Sequence, residues 1–178
     1  MITTVTAPTT RAVTLDEARQ QLRLDAYDED LLLAVHLDAA QAELERLTDL
    51  RLCPQTLAMM LEAWTDEITV PVRPVTIAAI TYTDITDVTA TLPEPDYIAR
   101  ARHGFTRIRP ASGKSWPALG PDGQIIITLS AGFAVGHPDL AIARAAILVK
   151  AASLFENREG AACLAFDTLV NQLRGRWI

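Results

Sequence analysis

The chain has 178 residues, 49% of them hydrophobic and 21% charged, an ordinary globular composition that excludes wholesale disorder. Sixteen Lys+Arg against 22 Asp+Glu leave a formal charge of -6, the wrong sign for a protein that wraps nucleic acid by neutralising phosphates. Two cysteines, Cys53 and Cys163, are too few for a disulfide scaffold or a thiolate zinc site, and they read as buried thiols of a protein folded in a reducing cytoplasm.

Residues 1–13 are Thr-rich and lack the apolar stretch of a secretory signal; they read as an extended N-terminal arm. No run reaches the roughly 18 apolar residues of a membrane span; the longest, Leu140 to Phe155, is interrupted by Arg144 and Lys150. Thr14-Leu15-Asp16-Glu17 is a capping box, which predicts a short helix to about Leu22 with Leu15, Ala18 and Leu22 on one face. After the acidic turn Asp25 to Asp30, a longer helix is predicted from about Glu29 to Thr48. Asp28 is its expected N-cap, and Leu32, Val35, Ala39, Ala42 and Leu47 its expected buried stripe.

Nine of the ten prolines and six of the eight glycines fall between Pro54 and Pro138. These residues break helix interiors, so residues 54–137 read as a β-rich insertion between helical flanks. Gln55 to Leu61, Ile68 to Val72 and Thr76 to Thr83 are strand candidates, with turns at Asp84 to Ala90 and at Pro93-Glu94-Pro95-Asp96. The run Ile125-Ile126-Ile127-Thr128-Leu129 predicts a strand buried on both faces. Pro138 sits near the first turn of a helix predicted from about Asp139 to Asn157, apolar around nearly its whole circumference. Such a helix needs enclosure on all sides, either by its own sheet and helices or by neighbouring subunits. Gly160 breaks the chain, a last helix runs from about Ala162 to Leu173, and residues 175–178 form a tail. The fold class is therefore α+β, mainly helical: residues 14–50 and 138–174 build a helical bundle that carries the β-rich insertion, all in one domain.

Chemistry is sparse. Ser112-Gly113-Lys114-Ser115 resembles the end of a phosphate-binding loop, but Ile108 stands where the first glycine belongs and Trp116-Pro117 follows at once. Asp25, Asp28, Glu29 and Asp30 miss the calcium-loop pattern, because Asp30 replaces its glycine; helix capping accounts for them. His36, His103 and His137 fit no metal or hydrolase motif. No metal, cofactor or catalytic residue is assigned, and the chain is not read as an enzyme. Arg100, Arg102, Arg107, Arg109 and Lys114 form a basic run with no acid between Asp96 and Asp122. It reads either as the solvated face of a hairpin or as a patch facing DNA or an acidic partner.

The order of four segments resembles the head–tail connector, or adaptor, proteins of tailed phages and of phage-derived gene transfer agents. They are Val13-Thr14-Leu15-Asp16-Glu17-Ala18 with Leu22-Arg23-Leu24-Asp25 and Asp28-Glu29-Asp30-Leu31-Leu32; Val70-Pro71-Val72-Arg73-Pro74-Val75 before a strand with Tyr82; Ile127-Thr128-Leu129-Ser130-Ala131-Gly132-Phe133; and Pro138-Asp139-Leu140 leading through Ala145-Ala146-Ile147 to Phe155-Glu156-Asn157-Arg158-Glu159. The departures, Ser130 and Phe133, touch no chemistry, since the family has no catalytic site.

The resemblance implies a virion structural protein in the neck of the particle, made and assembled in the bacterial cytoplasm. Twelve copies would form a ring under the portal, extend the DNA channel and receive a stopper or other tail-side protein. DNA would pass without sequence-specific binding, and no membrane is involved. On this reading Ile142, Leu148, Val149 and Phe155 are subunit-interface candidates. Leu173, Arg174, Arg176, Trp177 and Ile178 are portal-docking candidates, Trp and Arg being common interface anchors. The alternative is a small helical protein-binding or regulatory module.

Overall fold

A computed structural model describes residues 1–24, 29–102, 104–134, 136–157 and 162–175. The chain packs as two compact units, one from Met1–Pro8 with Pro54–Gly132, the other from Thr9–Cys53 with Phe133–Ile178.

The second unit is helical. Helix α1 spans Leu15–Leu22, α2 Asp30–Thr48, α3 Pro138–Glu156 and α4 Leu164–Gly175. The capping box forms as the sequence predicts: the Glu17 N–H donates to Thr14 Oγ1 at 3.3 Å, and the Thr14 N–H donates to Glu17 Oε2 at 2.9 Å. That backbone donor, and then Arg144, hold the Glu17 carboxyl below its usual range. Replacing Thr14 by Ala is expected to cost about 1 kcal/mol of stability, and by Ser very little. Urea unfolding followed by circular dichroism reads the difference, and equal losses in the two variants would show that the hydroxyl acceptor is not what counts.

Helix α2 begins one residue after Glu29, which makes no side-chain cap; the expected cap Asp28 lies outside the described residues. Asp30 is instead bound to Arg19 of α1 through two hydrogen bonds of 2.7 Å, and this pairing lowers its carboxyl pKa. The expected buried stripe of α2 requires correction. Leu33, Leu37, Ala40, Leu44 and Thr48 are the buried positions, while Leu32, Val35, Ala39 and Ala42 are exposed and Leu47 is half-buried. The helix carries two apolar stripes, Leu33-Leu37-Ala40-Leu44 and Leu32-Val35-Ala39-Ala42, each spaced by threes and fours. Periodicity detects both equally, and the stripe with three leucines takes the core.

Helix α3 buries Asp139, Ala143, Ala146, Ile147 and Ala151. Its small residues let α2 and α4 come close, and the core continues into Phe166, Val170 and Leu173 of α4. The two cations that interrupt α3 dock it on the other helices: Arg144 pairs with Glu17 of α1, and Lys150 Nζ lies 3.0 Å from Glu43 of α2 and 5.1 Å from the centre of the Phe166 ring. His137 caps α3, its Nδ1 accepting from the Asp139 N–H at 3.2 Å.

The first unit is antiparallel β. Strands β1 Ile2–Thr6, β2 Gln55–Leu61, β4 Val75–Thr83, β5 Thr89–Thr91 and β8 Ile125–Ala131 form a five-stranded sheet in the order β1-β2-β8-β4-β5. Strands β3 Ile68–Thr69, β6 Tyr97–Arg102 and β7 Phe105–Pro110 form a second sheet in the order β3-β7-β6. The N-terminal arm is tied down as edge strand β1, with Ile2 opposite Met59. The isoleucine-rich run is the central strand β8, as its β-branched residues predict, but it alternates: Ile125, Ile127, Leu129 and Ala131 are buried, Ile126 and Thr128 half-buried and Ser130 exposed. Burial on both faces belongs to parallel sheets covered by crossover helices, and this sheet is antiparallel. Ile68 and Ile108 of the small sheet share one core with Leu57, Ile80, Ile127 and Leu129 of the large one.

Candidate functional site

The β6–β7 hairpin gathers most of the basic run. Its register sets Ile98 opposite Arg109, Arg100 opposite Arg107, and Arg102 opposite Phe105. Side chains alternate across a strand and opposed residues share a face, so one face carries all four arginines. The other face turns Ile108 into the core. The arginines line a surface cleft of about 220 Å³ together with Ile98, Ala101 and Glu67. Glu67 accepts from Arg107 Nη1 at 2.6 Å. Arg100, Arg102 and Arg109 are exposed and form no ion pair among the described residues. Next to Arg102, the ring of Phe105 is covered by the guanidinium of Arg73, 4.8 Å from its centroid. Lys114 is absent from the cleft lining; its Nζ pairs with Asp96 at 2.8 Å.

The loop around Lys114 has no phosphate-cradle geometry. The Lys114 N–H closes a turn on the Ala111 carbonyl at 2.9 Å, Gly113 sits at φ 75°, and no helix follows. Among the described residues, no three His, Cys, Asp or Glu side chains gather to hold a metal ion. His36 meets Phe155 edge-on at 6.3 Å, His137 serves as a helix cap, and His103 lies outside the described residues. Burial raises the Cys53 thiol pKa, which disfavours the nucleophilic thiolate. No described helix is long and apolar enough to cross a membrane.

A second surface lies on α2. Leu31, Leu32 and Val35 are exposed by 81%, 39% and 57%, and Ala39 and Ala42 continue the stripe. At its edge Asp38 accepts two hydrogen bonds from Arg11, at 2.6 and 2.8 Å. Leu32, Val35, Ala39 and Ala42 are four residues that periodicity alone places in the core; the stripe that is buried instead carries three leucines, Leu33, Leu37 and Leu44. The α3 residues singled out from the sequence are half-buried: Ile142, Leu148 and Phe155 pack partly on their own unit's core, and Val149 is half-exposed without joining it.

At the C-terminal end, Leu173 is fully buried in the helical core and Arg174 Nε donates to the Leu47 carbonyl at the end of α2, at 2.7 Å. Both therefore contribute to the packing of their own unit. Arg176, Trp177 and Ile178 lie outside the described residues.

No family model matches the chain, and no curated protein does. Solved structures do. The chain is 30% identical to a protein in the neck of an empty gene transfer agent (GTA) particle computed with C6 symmetry, with a TM-score of 0.80 over 99% of this chain and 94% of that one. It is 30% identical to a chain in the virion of the native GTA particle, with a TM-score of 0.78 over 99% and 94%. A chain in the native GTA neck computed with C12 symmetry matches at 29% identity and a TM-score of 0.78, over 98% and 94%.

Proposed function

This chain belongs to the family of gene transfer agent neck proteins, and from that membership we propose that it is the head–tail connector subunit, forming a ring beneath the portal that extends the DNA channel and receives the tail. The role is structural rather than catalytic. The observation that carries this reading is the match at a TM-score of 0.80 over 99% of this chain, which spans both units. The relatives sit in necks computed with C6 and C12 symmetry, and twelve copies fit either.

A closed ring repeats one head-to-tail interface around its axis. The exposed stripe Leu31, Leu32 and Val35 supplies one side of that interface. Ile142, Leu148, Val149 and Phe155 on α3 supply apolar surface for the other. Burying such area stabilises association at roughly 25 cal/mol per Å² before the costs of ordering the partners.

Docking on the portal falls to Arg176, Trp177 and Ile178, with Arg174 at the helix end. Deleting residues 176–178 leaves Leu173 and the Arg174–Leu47 hydrogen bond in place. The truncated chain should still fold and lose attachment to the head. Thermal unfolding and electron micrographs of particles made with the truncated chain check both halves. Necks present at the normal frequency would remove the tail from the docking site. The wider proposal is tested by reconstructing the whole particle and locating this chain between head and tail.

A further inference from the structure

The four arginines of the β6–β7 face are arranged at a cost to the isolated chain. Arg100 and Arg107 stand directly opposite each other, and like charges in that position destabilise a strand pair. One carboxylate, Glu67, enters the cleft against four guanidinium groups. No acid occurs in the sequence from Tyr97 to Pro121 that could supply a second. The arrangement calls for an anion from outside.

Two classes of partner carry enough negative charge, an acidic protein surface and a nucleic-acid backbone. Protein interfaces are centred on buried apolar or aromatic anchors. Among the described residues that line the cleft, Ile98 is the one large apolar side chain, and Arg73 covers the neighbouring Phe105. Guanidinium forks match phosphate oxygens and need no apolar centre. Residues two apart on one face of a strand are about 6.8 Å apart, so Arg100 with Arg102, and Arg107 with Arg109, form two short parallel rows of donors. Such an array can meet successive phosphates and reads no base edge.

We propose that the Arg100–Arg102–Arg107–Arg109 face binds the phosphate backbone of duplex DNA, weakly and without sequence preference. This deepens the neck reading above and rests on it for the source of the DNA. The remainder of the chain is acidic, the whole carrying -6. Attraction is therefore confined to one patch and repulsion acts elsewhere, so the duplex is touched without being held. Three arginines free of ion pairs release about three counterions. Affinity then falls roughly 40-fold as salt rises from about 25 mM to about 100 mM.

The test is fluorescence anisotropy of a labelled duplex titrated with the purified full chain at low salt, repeated with an unrelated duplex sequence and with poly-glutamate as the acidic-protein probe. The parent should bind both duplexes equally, with the steep salt dependence above. The triple variant Arg100→Gln, Arg102→Gln, Arg109→Gln, which leaves the Arg107–Glu67 pair intact, should bind at least about ten-fold more weakly, losing nearly all of the counterion release. The corresponding Lys triple variant should retain the salt slope, which guards against misreading a folding defect. No duplex binding by the parent, equal binding by the Gln variant, or binding of poly-glutamate in place of DNA would each overturn the proposal. Incorporation into particles is scored separately. A parent that enters necks yet ignores DNA sinks this inference alone, whereas a parent absent from necks sinks the connector reading.

Discussion

Replacing Leu32 and Val35 together by Asp should leave the isolated subunit folded and abolish its assembly into a ring. Both side chains are solvated in the single chain, 39% and 57% exposed, and substitutions at such positions usually change stability by no more than about 0.5 kcal/mol. Leu32 also lies in the first turn of α2, where the positive end of the helix dipole favours a carboxylate. Across a lateral interface the same two carboxylates are desolvated without partners, at about 3–5 kcal/mol. Each association step is then weakened by at least about a hundred-fold, and the penalty recurs at every interface of the ring. Urea unfolding of the purified variant and electron micrographs of particles made with it read the two halves. A double variant found in necks at the parent's frequency would move the interface to another surface. Val149→Asp on α3 is then the informative second change.

Phe166→Ala should produce the largest loss of stability from any single truncation in the helical unit. The ring is 2% exposed, is among the largest fully buried side chains, and joins α4 to the core built by α2 and α3. It also sits beneath the Lys150 ammonium. Truncating a buried Phe costs about 3–5 kcal/mol through lost transfer energy and the cavity left behind. Domains of this size are stable by only about 5–15 kcal/mol, so the variant should be partly unfolded near 37 °C. Phe166→Leu keeps most of the volume and should cost less than about 1.5 kcal/mol. Chemical denaturation of all three proteins provides the comparison. A loss below about 1 kcal/mol for the Ala variant would mean that the site collapses freely and that α4 is not held by this ring.

Much of the architecture is legible in the residues. The Thr14–Glu17 box, the prolines confined to the middle, the apolar rod after Pro138 and the break at Gly160 locate the four helices, and the β-branched run locates the central strand. These signals are local: capping, ring closure in proline and side-chain branching act within a few residues. What local pattern cannot decide is which of two equivalent stripes on α2 faces the core, because that depends on the volumes brought by α3 and α4. The arginine face was half legible. Composition reveals the basic run, but only the pairing of β6 with β7 sets Arg100 against Arg107 and turns Lys114 away to Asp96. The edge strand β1 was legible too: Ile2-Thr3-Thr4-Val5-Thr6 is wholly β-branched, although only the pairing with β2 shows which neighbour it joins.

The division of the helical unit between the two ends of the polypeptide shapes how the molecule must be made. Helices α1 and α2 leave the ribosome first, yet Leu33, Leu37 and Leu44 find their partners Ala143, Ala146 and Ile147 only after residues 54–132 have been synthesised. At bacterial and eukaryotic elongation speeds that wait is roughly 4–16 s, far longer than a helix or hairpin needs to form. Throughout it a nascent leucine-rich segment stands uncovered, a natural substrate for chaperones. The intervening β unit has time to close before the last helices arrive to complete the bundle.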